Sequence, residues 1–142
     1  MLHFAPEITS MAEACLGGLC GRSALLIGPE RQLQPYKMLL QQMGIKAIYQ
    51  EETPERLVAL LPLVQLLMYI PDPSPAEGAT SPPHITAGAI AWGCAGRRAP
   101  LVVFDLAETS SIEELAGLLP AVCLYTPDDL SAILTRYQMQ TA

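Results

Sequence analysis

Apolar residues fall along this chain in short, nearly unbroken runs, separated by stretches where they recur every third or fourth place. Ala24–Ile27, Lys46–Tyr49, Leu63–Ile70, Pro100–Leu106 and Val122–Tyr125 are the runs, and each predicts a strand. Runs with no polar alternation are typical of strands covered on both faces.

The stretches between them carry helical signals. Ile8–Leu19 has helical spacing, Thr9 or Ser10 as N-cap and Glu13 shortly after, and Gly17, Gly18 and Gly21 end it. The segment after the first run reads two ways. Either Gly28–Gln34 is a loop and the helix is Tyr36–Met43 with Pro35 in its first turn, or the helix starts at Pro29 and kinks at Pro35. Proline's tolerance for a first turn favours the former. Thr53-Pro54-Glu55 opens a helix running to about Leu61. Thr86–Gly93 is a short helix, Ser110–Leu118 one capped by Ser110 or Ser111, and Pro127–Tyr137 one capped by Thr126 with Asp128 and Asp129 in its first turn. Between the third run and the fourth helix lies Pro71–Pro83, a proline-rich segment expected to be a loop.

Strands and helices thus alternate, which demands crossovers. The expected fold class is α/β, a three-layer, Rossmann-like doubly wound parallel sheet of about five strands, forming a single domain over residues 1–142 with a leading helix near 7–20. In such sheets ligands lie beyond the carboxyl ends of the strands. Those ends carry Gly28, Tyr49–Glu51, Pro71-Asp72, Asp105–Glu108 and Tyr125–Pro127.

The first strand leads into Gly28-Pro29-Glu30-Arg31-Gln32-Leu33. A dinucleotide fingerprint would read Gly-x-Gly-x-x-Gly, the second glycine admitting a pyrophosphate and the third letting the helix close on the strand. Only Gly28 is in place. Glu30 brings a side chain and a negative charge to where two phosphates would sit. Glu51 or Glu52, just over twenty residues on, stands where a ribose-binding acid sits in NAD enzymes, although a solvated acid ahead of a helix N-terminus is the favoured account. Asp105 reads equally as a ligand contact or a loop cap. Asp128 and Asp129 read as first-turn helix acids.

The chain has 142 residues, 51% hydrophobic and 15% charged, with a net charge of −6. So small a charged fraction leaves apolar surface to cover, and a protein partner or homo-oligomer is expected. The negative balance, with cations scattered apart from Arg97-Arg98, excludes nucleic acid as the main partner. The most apolar window, Leu57–Ile70, is too short for a membrane span and holds Pro62, so no membrane insertion is expected. Cys15, Cys20, Cys94 and Cys123 lack metal-ligand spacing, which fits a reducing, cytoplasmic setting and no metal. Cys94 and Cys123 read as small core residues, and Cys15 and Cys20 as half-buried rather than a redox pair. Trp92 and Tyr125 read as core packing before base stacking.

Two segments carry a resemblance: Pro100-Leu-Val-Val-Phe-Asp-Leu-Ala107 and Leu119-Pro-Ala-Val-Cys-Leu-Tyr-Thr-Pro-Asp-Asp-Leu130. They are similar to the Leu-Ile-Asp-Ile-Ala strand and the Val-x-Leu-Tyr-x-x-Asp-Asp-Leu run of the NADPH-binding domain of glutamyl-tRNA reductase, which opens tetrapyrrole synthesis from glutamate. Ile85-Thr86 and the N-terminal helix leading into Ser23–Gly28 resemble the family as well. In pattern the match runs from Ile8 to Tyr137, and shikimate dehydrogenase-like domains share the architecture. The departures concern the cofactor. The family's Asn-Arg-Thr, whose arginine receives the 2′-phosphate, is here Glu51-Glu52-Thr53, and its Val-Pro-Arg-Asp is Glu108-Thr109-Ser110-Ser111. Acid where a phosphate binds costs electrostatic free energy. The family's catalytic domain and dimerisation helix have no counterpart in these residues. The resemblance therefore implies a non-catalytic module with no bound cofactor. The alternative is an NAD- or NADP-binding oxidoreductase subunit, using Gly28, Pro29, Glu30, Glu51, Glu52 and Asp105, that needs a partner for catalysis.

Overall fold

The computed structural model describes residues 4–71 and 84–141, with side chains to residue 136. The proline-rich segment 72–83 lies outside the described residues. Five parallel strands, β1 (Ser23–Ile27), β2 (Ala47–Glu51), β3 (Leu66–Tyr69), β4 (Leu101–Asp105) and β5 (Val122–Tyr125), form one sheet in the order β2-β1-β3-β4-β5. Register is continuous across it, with Ile27 opposite Glu51 and Tyr69, and Tyr69 opposite Asp105. The strand order reverses direction between β1 and β3, which makes that boundary the topological switch point.

β1, β3 and β4 are buried throughout because both faces are covered. Side chains alternate between the two layers. Ala24, Leu26, Met68 and Phe104 face a core beneath α1 (Ala5–Leu16), α2 (Glu30–Gln42) and α5 (Pro127–Thr141). Leu25, Ile27, Leu67 and Val103 face a second core beneath α3 (Leu57–Leu60), α4 (Ala87–Gly93) and short 3-10 turns at Pro54–Arg56, Leu61–Leu63 and Glu114–Leu118. The layers are unequal, one made of long helices and the other of short ones. Among the described residues no helix is long and apolar enough to cross a membrane.

Several boundaries differ from the sequence reading, each for a local reason. α1 begins at Ala5 because Pro6 suits a first turn, and the expected cap Thr9 is buried with its hydroxyl donating to the Ala5 carbonyl at 2.8 Å. It ends at Leu16, where Gly17 takes φ 68° and the Gly18 N–H reaches the Glu13 carbonyl.

α2 starts at Glu30 and runs through Pro35, so the favoured loop over Gly28–Gln34 is replaced by helix. Starting early puts Leu33, Tyr36 and Leu40 on one face, all fully buried. Of these only Leu33 is added by the early start, and its burial, about 1.5–3 kcal/mol, offsets much of the ~3 kcal/mol of an interior proline.

The helix expected from Thr53 to Leu61 is broken into 3-10, α and 3-10 turns, the last of which contains Pro62. The one expected over Ser110–Leu118 is reduced to a 3-10 turn from Glu114, because Ser111 and Ile112 spend their N–H groups on Asp105 and Ile112 bridges Ile85. Cys123 and Trp92, read as core, are exposed, Trp92 by 76%. Cys15 and Cys20 are exposed as well.

Candidate functional site

The carboxyl ends of the strands bring most of the singled-out residues to one edge. At the end of β1, Gly28 has φ 153° and its N–H donates to the Glu51 carbonyl at 2.9 Å. A Cβ on Gly28 would strike the Ile70 carbonyl, and Leu33 Cδ2 would be 3.4 Å from it. This glycine is therefore required by the approach of two backbones, at the switch point itself.

Pro29 caps α2 with extended dihedrals and brings no N–H to the corner. Glu30 stands exposed in the first helical turn, its Oε1 accepting from Gln34 Nε2 at 3.5 Å. Leu33, at the place of the third fingerprint glycine, is fully buried.

Beside this corner, Glu51 ends β2. Its carboxylate is 3.7 Å from Arg56 Nη1, reached from the 3-10 turn that follows. Arg56 is mostly exposed, so the pair contributes at most about 1 kcal/mol. Glu52 is exposed. The structure thus gathers Gly28, Pro29, Glu30, Glu51 and Glu52 on the β1–β2 side of the switch point.

Asp105 lies apart from them. It is fully buried, and its carboxylate accepts from the N–H groups of Ala107 at 3.2 Å, Ser111 at 2.7 Å and Ile112 at 2.8 Å. Burial pushes its pKa up while those donors pull it down. In this geometry it ties down the loop after β4. Of its two readings, the loop cap is the one its contacts describe.

That loop walls a cleft of about 250 Å³ between Glu108, Thr109, Ser110, Glu114, Pro127 and Asp128. Three carboxylates and two hydroxyls line it, with no cation among them. The α5 end of the cleft is held by a reciprocal cap: Thr126 Oγ1 accepts from the Asp129 N–H and the Asp129 carboxylate from the Thr126 N–H, each at 3.1 Å.

Sequence reasoning missed one further pair, and it reads Tyr125 as core packing before base stacking. Tyr69, at the end of β3, has its hydroxyl 2.6 Å from His84 Nδ1, with the rings edge to face. Burial and the neighbouring Asp105 push the Tyr69 phenol up to about 12. Only the fold joins these residues, and no spacing signal could have paired them. Tyr125 stacks on Phe104 at 5.1 Å between ring centroids, and its hydroxyl lies 3.2 Å from Cys15 Sγ. The stacking partner of Tyr125 is thus a core ring.

No protein-family model matches the chain. Glutamyl-tRNA reductase of Methanospirillum hungatei JF-1 is 30% identical over 141 residues, an alignment covering 87% of this chain and 33% of that protein. The chain therefore spans about a third of the length of this curated relative. Among solved structures, glutamyl-tRNA reductase from Methanopyrus kandleri has a TM-score of 0.71 at 19% identity, covering 96% of this chain and 37% of that one. A dipicolinate synthase chain from Bacillus halodurans has a TM-score of 0.65 at 13% identity, covering 96% and 52%. The structural likenesses show the fold. Together with the sequence match, they make this chain a Rossmann-like α/β domain similar to part of glutamyl-tRNA reductase.

Proposed function

We propose that the chain is a non-catalytic binding or regulatory module, related to the cofactor domain of glutamyl-tRNA reductase and serving tetrapyrrole synthesis or a pathway that uses the same domain. The observation that carries this reading is the β1–α2 corner. Gly28 is committed to the backbone of Ile70, Pro29 supplies no donor, and the Glu30 carboxylate occupies the first turn of the helix. A diphosphate would meet a like charge there, set against the positive end of the helix dipole. The neighbouring cleft, lined by Glu108, Glu114 and Asp128, repels phosphate too. The residues present do not fit an NAD or NADP diphosphate, and no reaction step is assigned to one.

Titration of the purified chain with NADH and NADPH, followed by fluorescence and thermal shift, tests this. No saturation is expected. A Kd below about 100 μM, roughly 5.5 kcal/mol, overturns it.

A second reading, an NAD(P)-binding oxidoreductase subunit completed by a partner, draws on Arg56. Its guanidinium reaches the end of β2 beside Glu51, near where the resemblance expects a cation for a 2′-phosphate. NADPH binding that is lost in Arg56→Ala and weaker for NADH would establish that reading in place of the first.

A further inference from the structure

Among the described residues, five large hydrophobic side chains are exposed, and four of them lie on the layer of short helices: Leu63 by 51%, Trp92 by 76%, Leu115 by 60% and Leu118 by 80%. Three consecutive crossovers supply them. Leu63 ends the 3-10 turn before β3, Trp92 is in the last turn of α4 before β4, and Leu118 ends the 3-10 turn before β5. α4 packs against α3 on one side and against the Glu114–Leu118 turn on the other, so Trp92 holds the middle place.

Close packing joins two of the elements that carry the row. At Gly93 any Cβ would come 2.6 Å from Leu61 Cδ1, so α4 seats directly on the neighbouring turn. Leu115 and Leu118, three apart in a 3-10 helix, project from one side of it.

Exposed Arg98 follows Trp92 in the chain and exposed Glu114 precedes Leu115, while the residues next to Trp92 are small or turned away. Ala91 beside Trp92 is small and exposed, and Arg97 is turned inward, donating to the carbonyls of Leu61, Val64 and Ala99. The four side chains together present on the order of 500 Å² of apolar surface, at the upper end for a monomer's largest patch. That is less than the roughly 800 Å² per partner of a standard interface and matches the smaller area of a weak, reversible contact.

From this arrangement we infer that the face made by Leu63, Trp92, Leu115 and Leu118 is the contact between two copies of this chain, related by a two-fold axis passing near Trp92. The order leucine, tryptophan, leucine is its own complement under such an axis. Trp92 meets Trp92, and Leu63 of each copy meets Leu118 of the other, as an isologous interface requires. Two chains of net charge −6 repel, and a row whose exposed side chains are four large hydrophobics is where they approach at least cost. The pairing leaves the strand carboxyl ends open, and it stands whether or not they take a ligand.

Trp92 is the only tryptophan, so its emission reports this face alone. Light scattering and tryptophan fluorescence should be followed on the full chain from ~1 to ~200 μM, a range that brackets micromolar association. The expected result is a dimer mass with emission shifting to shorter wavelength as concentration rises. Leu118→Lys, read by light scattering and by the same Trp92 emission, should weaken the dimer by ~30-fold or more while the far-UV circular dichroism stays unchanged. Trp92→Lys should do the same by mass. A monomer with solvent-exposed emission at ~200 μM, or a dimer that survives both substitutions, overturns the inference. The first outcome would leave the face to a different partner, the second would put the dimer contact elsewhere.

Discussion

The backbone at Gly28 lies against the end of β3 so closely that a side chain there would collide with the Ile70 carbonyl oxygen, its carbon only 2.9 Å away. The one glycine kept from a dinucleotide fingerprint is therefore held by packing, at φ 153°, where L side chains are strained. Gly28→Ala is expected to cost about 3 kcal/mol or more, since neither backbone can yield without breaking the Ile70 N–H to Ile27 carbonyl bond of 2.8 Å. Urea unfolding checks this. A cost below about 0.5 kcal/mol would mean the corner is looser than its contacts indicate.

Asp105 is expected to behave as a fold residue. Asparagine would keep one acceptor oxygen but turn an amide donor toward N–H groups that now reach both carboxylate oxygens. Asp105→Asn should cost about 2–4 kcal/mol, with faster amide exchange at Ser111 and Ile112. Chemical unfolding with exchange measured by NMR reads both quantities, and unchanged exchange at those two amides would refute the assignment.

The adjacent arginines should separate cleanly. Arg97 joins the turn before β3 to the loop before β4 through the carbonyls of Leu61, Val64 and Ala99, whereas Arg98 is exposed. Arg97→Ala is expected to lose about 2–3 kcal/mol and Arg98→Ala less than about 0.5 kcal/mol. Equal effects in thermal unfolding would contradict the contrast.

Alkaline pH should unfold the protein through its tyrosines. Tyr69 is held neutral up to about 12 by burial and by Asp105, and burial also raises Tyr36. Tyr125 is raised first by its bond to Cys15 and then by burial. An unfolded tyrosine ionises near 10. Because the folded values lie above that, the unfolded chain releases protons first. Stability contributed by these phenols is complete below pH ~10 and is lost as pH rises toward ~12. Tyrosinate absorbance should therefore rise later in native than in denatured protein, and Tyr69→Phe should remove the part near 12. Coincident native and denatured titrations would rule this out.

What could be read in advance depended on how local the cause was. Val122–Tyr125 matches its expected strand end to end, and the Thr126 cap and the Thr86–Gly93 helix follow from neighbouring residues. α2 did not, because the proline penalty is local while its compensation, burial of Leu33 against the sheet, is not. The segment before Glu114 departs from helix for the same kind of reason, its N–H groups being claimed by Asp105 from another element.

The sequence by itself determined the alternation of strands and crossovers, and with it the parallel sheet and the edge where Gly28, Glu30 and Glu51 gather, since these follow from periodicity and turn chemistry along the chain. Only the tertiary structure decided that Trp92 and Cys123 face outward, that Arg97 turns in, and that Tyr69 meets His84. Hydrophobicity states what a side chain gains by burial. Whether a neighbouring layer is long enough to bury it is settled by packing between segments far apart in the chain.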